Sequence, residues 1–230
     1  MKRGLLSLLA LLLHSSSDSQ WQSVGPFGGY MQALTSDSSG NLYAAGAFGG
    51  VFKSTDNGDL WTQTYDDTVI VNVMSLAVDP GGAVFAGLDP GFMRSTDNGS
   101  TWQTLSNGLT SRFVLGLLIG ADGEIIAGTS GGGVYRSTDN GTTFSQINTG
   151  LTSTYITALA LNNSGHLIAG TLTAGLFRST DDGGNWTAID SGLTQTQILA
   201  VGQHPSGEER PGLRSCRENH ERRHYHSGRR

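Results

Sequence analysis

The chain has 230 residues, 34 of them Gly, and only 14% carry charge, for a net charge of −5. So much glycine excludes a fold of long helices and favours short strands joined by tight turns. Residues 20–203 hold five Lys and Arg against fourteen Asp and Glu, which excludes a basic nucleic-acid-binding surface.

Residues 1–19, MKRGLLSLLALLLHSSSDS, read as a secretory signal peptide: a basic start at Lys2 and Arg3, an apolar run from Leu5 to Leu13, then small polar residues. That run is too short to span a bilayer, and no other segment is apolar enough. The expectation is a secreted protein, extracellular or periplasmic, with no membrane span after cleavage. The single cysteine, Cys216, lies near the end, so burial and not disulfides must hold the exported body together.

The body, residues 20–206, opens at Trp21 with WQSVGPFGG, which matches WQTLSNGL at Trp102 and WTAIDSGL at Trp186. A lone outer strand is therefore expected there. Four copies of one nonapeptide follow: KSTDNGDLW from Lys53, RSTDNGSTW from Arg94, RSTDNGTTF from Arg136 and RSTDDGGNW from Arg178. Their serines, Ser54, Ser95, Ser137 and Ser179, are spaced by 41, 42 and 42 residues, the period of a repeat array. The units cover roughly residues 28–65, 69–106, 112–148 and 154–190, with a partial fifth from 196. In the second unit, apolar runs at 71–79, 83–88, 92–96 and 101–105 alternate with the turns PGG, DPG and DNGS. That is a four-stranded antiparallel meander.

The first two strands of each unit are apolar on both faces, so each sheet must be covered on both sides. Radially stacked four-stranded blades supply that cover. The fold class expected is all-β, a β-propeller of about four complete blades plus a partial one, incomplete as a ring. The nonapeptide falls on the turn between third and fourth strands. There Asp56, Asp97, Asp139 and Asp181 can accept hydrogen bonds from the turn's own amides. Gly58, Gly99, Gly141 and Gly183 permit positive φ. Trp61, Trp102, Phe144 and Trp186 can pack over the turn and seal the blade. A calcium loop would need oxygen ligands at alternate positions through to a distal Glu; that pattern is absent.

The pattern S-x-D-x-G-x-x-W resembles the Asp-box, or bacterial neuraminidase repeat, over residues 21 to about 203. The resemblance implies a propeller of the kind found in sialidases, xyloglucan-active glycoside hydrolases, sortilin-type receptor domains, photosystem assembly propellers and many secreted bacterial proteins. It also implies that the box is structural and lies away from the active face. A sialidase of this family clamps its substrate's carboxylate with three Arg. Here Arg94, Arg136 and Arg178 are the repeated residue before the Ser, with Lys53 the fourth copy, and only Arg112 stands apart. The one Glu of the body is Glu124, and the acids outside the repeat pattern include Asp66, Asp67 and Asp89.

No catalytic residue, cofactor or metal site is therefore assigned. Asp66, Asp67, Asp89, Arg112 and Tyr155 are expected to rim a ligand on the face opposite the repeated turns. The partner expected is a protein or glycan. The alternatives are a glycoside hydrolase of the Asp-box superfamily, or a fragment of a longer propeller.

Residues 207–230 break the pattern. From residue 204 onward there are seven Arg and four Glu, with neither apolar alternation nor a repeat turn. His220, His224 and His226 lack the framework that a metal site needs. An abrupt change of composition in mid-blade suits a reading-frame shift or truncated gene. The tail is expected to stay out of the sheet and leave an open arc.

Overall fold

In a computed structural model of the chain, residues 30–46, 50–65, 72–111, 113–120 and 122–201 are described. The leader, the segment around Trp21 and the basic tail lie outside them. The described residues hold sixteen β-strands and no helix. Blade 1 comprises β1 (Met31–Ser36), β2 (Leu42–Gly46), β3 (Gly50–Ser54) and β4 (Thr62–Tyr65). Blade 2 comprises β5 (Asn72–Val78), β6 (Val84–Asp89), β7 (Gly91–Ser95) and β8 (Gln103–Thr104). Blade 3 comprises β9 (Val114–Ile119), β10 (Ile125–Thr129), β11 (Gly133–Ser137) and β12 (Ser145–Gln146). Blade 4 comprises β13 (Ile156–Leu161), β14 (Leu167–Thr171), β15 (Leu176–Ser179) and β16 (Thr187–Ala188). Each blade is an antiparallel meander in sequence order. The fourth strands β8, β12 and β16 are only two residues long, shorter than the apolar pattern suggests, because the repeated turn takes up the residues before them.

The core is three layers, each between successive blades. Between blades 1 and 2, Tyr43, Ala45 and Val51 meet Val73, Leu76, Val84, Ala86, Leu88 and Met93. Phe85 and Phe92 of blade 2 meet Val114, Ile125, Ala127, Tyr135 and Phe144 of blade 3. Ile126 and Val134 of blade 3 meet Ile156, Leu167, Ala169, Phe177 and Trp186 of blade 4. Strand periodicity accounts for this division. Successive side chains point to opposite faces, so Val84, Ala86 and Leu88 serve the layer before blade 2, and Phe85 serves the one after it. A strand doing both has no polar face to show.

The pairing of first and second strands shifts register within each blade: between Met31 and Ala33, between Val73 and Ser75, between Gly128 and Thr129, and between Ile156 and Ala158. Such bulges bend and twist a strand. The chain beyond blade 4 starts the pattern again. The amide of Ile198 donates to the Thr171 carbonyl at 2.9 Å, and the amide of Gly175 donates to the Thr196 carbonyl at 2.9 Å. Ile198 stands 42 residues after Ile156 and docks on blade 4 where Ile156 docks on blade 3.

Candidate functional site

The repeated turns are built alike. The Ser95 hydroxyl donates to Asp97 Oδ1 at 2.7 Å and accepts the Gly99 amide at 2.8 Å. Asp97 Oδ1 accepts the Thr101 amide at 2.7 Å, and Asp97 Oδ2 accepts the Thr101 hydroxyl at 2.6 Å. The same Ser–Asp pair is 2.7 Å apart at Ser54 and Asp56, and 2.8 Å apart at Ser137 and Asp139 and at Ser179 and Asp181. Two successive residues of each turn are left-handed: Asn98 at φ 56° and Gly99 at φ 89°, with equivalents at Asn57, Asn140 and Asp182. Asparagine tolerates that region far better than most side chains, and Asn-Gly is the preferred pair for such a hairpin turn.

The aromatic residue of the turn reaches beyond its own blade. Trp186 Nε1 donates to the Ile147 carbonyl of blade 3 at 2.7 Å. The Phe144 ring packs edge-on against Phe92 of blade 2, with centroids 5.0 Å apart. Trp102 keeps a hydrogen bond to its own turn, at Gly99 O, while packing edge-on against Tyr65 of blade 1. The aromatic therefore also fastens one blade to the one before, beyond any part in closing its own hairpin. The cation ahead of each serine links blades in the other direction. Lys53 Nζ, Arg94 Nη1 and Arg136 Nη1 donate to the carbonyls of Asn98, Asn140 and Asp182 of the following blade, at 3.4, 2.7 and 3.4 Å.

The hydrogen bonds from Thr101, hydroxyl first and amide second, and from Ser95 lower the Asp97 carboxyl to about 2. Thr143 and Ser137 do the same for Asp139, also to about 2. A carboxylate depressed on folding stabilises the protein above its unfolded value near 4, and that contribution is lost as pH falls through the folded value. Stability should therefore decline from about pH 4 towards pH 2. Asp97→Asn with Asp139→Asn should melt a few degrees lower at neutral pH and lose less on acidification than the parent. Thermal melts at pH 7, 4 and 2 measure both effects.

The opposite face carries the loops from second to third strand and from one blade to the next. Asp89 ends β6, paired in register with Asn72. Tyr155 precedes β13, 48% exposed, and forms a bridge with Ser130 of blade 3. Asp66, Asp67 and Arg112 lie outside the described residues. A second acid appears on this face at Asp190, beside Gly175. Sequence reasoning passed over it because it belongs to a repeated position, with Ser106 beside Gly91 and Asn148 beside Gly133. Asn148 shows what the position does: its Oδ1 accepts the Val134 amide and its Nδ2 donates to the Gly132 carbonyl. Asp89 and Asp190 stand on blades 2 and 4 with a whole sheet between them.

Stacked four-stranded meanders of this kind recur among solved structures. The GH74 xyloglucanase from Xanthomonas campestris matches with a TM-score of 0.58 and 18% identity, over 77% of this chain and 32% of that one. The extracellular domain of a protein described as a hybrid two-component system from B. thetaiotaomicron matches with a TM-score of 0.62 and 18% identity, over 79% and 26%. The fold is a β-propeller. YCF48 from Cyanidioschyzon merolae matches with a TM-score of 0.58 and 18% identity, over 77% of this chain and 61% of that one. The propeller thus spans 32% of the xyloglucanase and 26% of the extracellular domain. No protein-family profile matches the chain, and no curated protein matches it. At these identities the likeness concerns the fold, which enzymes and binding domains share.

Proposed function

We propose that the chain is a secreted, non-catalytic β-propeller module of the Asp-box type that binds a protein or carbohydrate on the face opposite its repeated turns. One observation carries this reading. The residues that recur in every unit are occupied in closing hairpins and joining blades, and the described acids of the opposite face, Asp89 and Asp190, have a blade between them. A rim of loops on a rigid array suits recognition, since such loops are where propellers and sandwiches place their contacts. The signal-like leader supports export, and the likeness to an extracellular domain agrees with it.

The test is a hydrolysis assay. The full chain is incubated with aryl glucosides, aryl sialosides and xyloglucan, and no release of aryl alcohol or reducing ends is expected above the buffer rate. Turnover abolished by Asp66→Asn, Asp67→Asn or Asp89→Asn would overturn the proposal in favour of a glycoside hydrolase.

A further inference from the structure

We propose that Asn107–Gly108, in the loop that joins blades 2 and 3, is a site of spontaneous deamidation, and that the isoaspartate it forms loosens that joint. The proposal is independent of the ligand-binding reading above.

The reaction needs a backbone amide that is free to attack. The nitrogen of the following residue bonds to the asparagine Cγ. The Cγ–Nδ2 bond breaks, and ammonia leaves with the proton of the attacking amide. Water then opens the cyclic imide at one of its two carbonyls, giving Asp or isoaspartate. Glycine is the most permissive following residue, because no side chain stands beside the attacking nitrogen. An amide held in a hydrogen bond keeps its proton and its position, and must first open locally to react.

Four Asn-Gly pairs occur in the chain, at Asn57, Asn98, Asn107 and Asn140. In three of them the repeated turn ties the glycine amide down. Gly58, Gly99 and Gly141 donate to the buried hydroxyls of Ser54, Ser95 and Ser137 at 2.8, 2.8 and 2.9 Å. Related pairs are tied as well. Gly183, after Asp182, donates to the Ser179 hydroxyl at 2.8 Å. Gly123, after Asp122, donates to the Gly120 carbonyl at 3.2 Å. Ser164, after Asn163, donates to the Asn162 side chain at 3.0 Å. Gly108 differs from all of these. It and Asn107 are exposed, and its amide has no acceptor among the described residues, while the next amide, Leu109, is held by the Ser106 carbonyl at 3.2 Å.

The place of the pair gives the reaction a consequence. The Asn107 carbonyl accepts the Phe144 amide at 2.9 Å, and a Cβ on Gly108 would lie 2.1 Å from the Phe144 carbonyl oxygen. The loop of blade 2 therefore lies directly against the chain of blade 3. In isoaspartate the main chain runs through Cβ and Cγ, so it gains one atom, and the former main-chain carbonyl becomes a free carboxylate. The acceptor of the Phe144 amide moves, in a contact too close to absorb an extra methylene group. The joint of blades 3 and 4 has Thr149 before its glycine, Gly150, and so has no side-chain amide to lose.

Incubation of the full chain in mildly alkaline buffer tests this, with peptide mapping that resolves Asn, Asp and isoaspartate at each site. Asn107 is expected to convert first, with the three turn asparagines about tenfold slower or more, the factor that one hydrogen bond represents. In concentrated urea the four should convert at similar rates. Ser95→Ala frees the Gly99 amide and should speed conversion of Asn98 about tenfold, while Asn140, with Ser137 in place, stays slow. Ser137→Ala should do the reverse. Protein converted at position 107 should melt lower than fresh protein, and Asn107→Ser should keep its melting temperature through the same incubation. Four outcomes overturn the proposal: Asn107 stays intact, the turn asparagines convert as fast as Asn107 in the folded chain, neither serine variant affects its own turn more than the other, or converted and fresh protein melt alike.

Discussion

Gly150→Ala is expected to cost about 3 kcal/mol or more, and Gly192→Ala no more than about 2 kcal/mol, although the two glycines have nearly the same backbone conformation. Their φ angles are 91° and 88°, so an alanine at either meets the same left-handed penalty of about 1–2 kcal/mol. The difference lies in what surrounds them. A Cβ on Gly150 would stand 2.2 Å from the carbonyl oxygen of Trp186, whereas one on Gly192 meets nothing within 4 Å. The Trp186 oxygen is main chain and cannot swing aside. The adjoining amide of Trp186 is held by the Thr149 carbonyl at 2.8 Å. Relief requires parting blades 3 and 4, and overpacking of that kind costs about 1–3 kcal/mol more. Urea unfolding of both variants measures the difference. Equal losses would mean that the junction yields freely and that only the dihedral angle matters.

Phe92→Ala is expected to remove about 3–5 kcal/mol, a large share of the ~5–15 kcal/mol by which a domain is stable. Phe92 is fully buried, stacked on Phe85 at 6.0 Å and met edge-on by Phe144 at 5.0 Å. It also fills the space beside the Gly141 turn, where a Cβ would fall 2.5 Å from its Cε1. Phe92→Leu, which keeps most of the volume, should cost under about 1.5 kcal/mol. The double variant Phe92→Ala with Gly141→Ala should lose less than the sum of the single losses, because the cavity receives the new methyl group. Additive losses in chemical denaturation would show that ring and turn do not share that space.

The repeat period, the four strands of each unit and the place of the nonapeptide were legible because each depends on residues close in sequence. Alternation, turn chemistry and the Ser–Asp–Gly geometry all act within about ten positions. The junctions were not legible. Trp186 and its acceptor Ile147 are 39 residues apart, and Arg94 and its acceptor Asn140 are 46 apart. A residue one whole unit away has no local signature, so an aromatic after a turn reads as a lid on that turn, and an arginine before it as a solvated charge. The candidate rim divides in the same way. Tyr155 is among the residues expected on the rim and Phe113 is not, although the two stand 42 residues apart at the same place in their blades and both are exposed.

The joints between blades have a further consequence, for inheritance. Each uses an aromatic facing back and a cation facing forward at the same offset within a unit, and the joints of blades 2 and 3 and of blades 3 and 4 add a glycine where the chains meet, Gly108 and Gly150. A DNA segment encoding one such period could be duplicated or lost in frame, and every surviving joint would still meet its counterpart. Substitutions elsewhere in a unit, including the position held by Tyr30, Asn72, Phe113 and Tyr155, exposed in all but Asn72, would leave those joints untouched. Lineages could therefore change the number of units and the residues at that position independently, varying the surface while keeping the means by which it is held together.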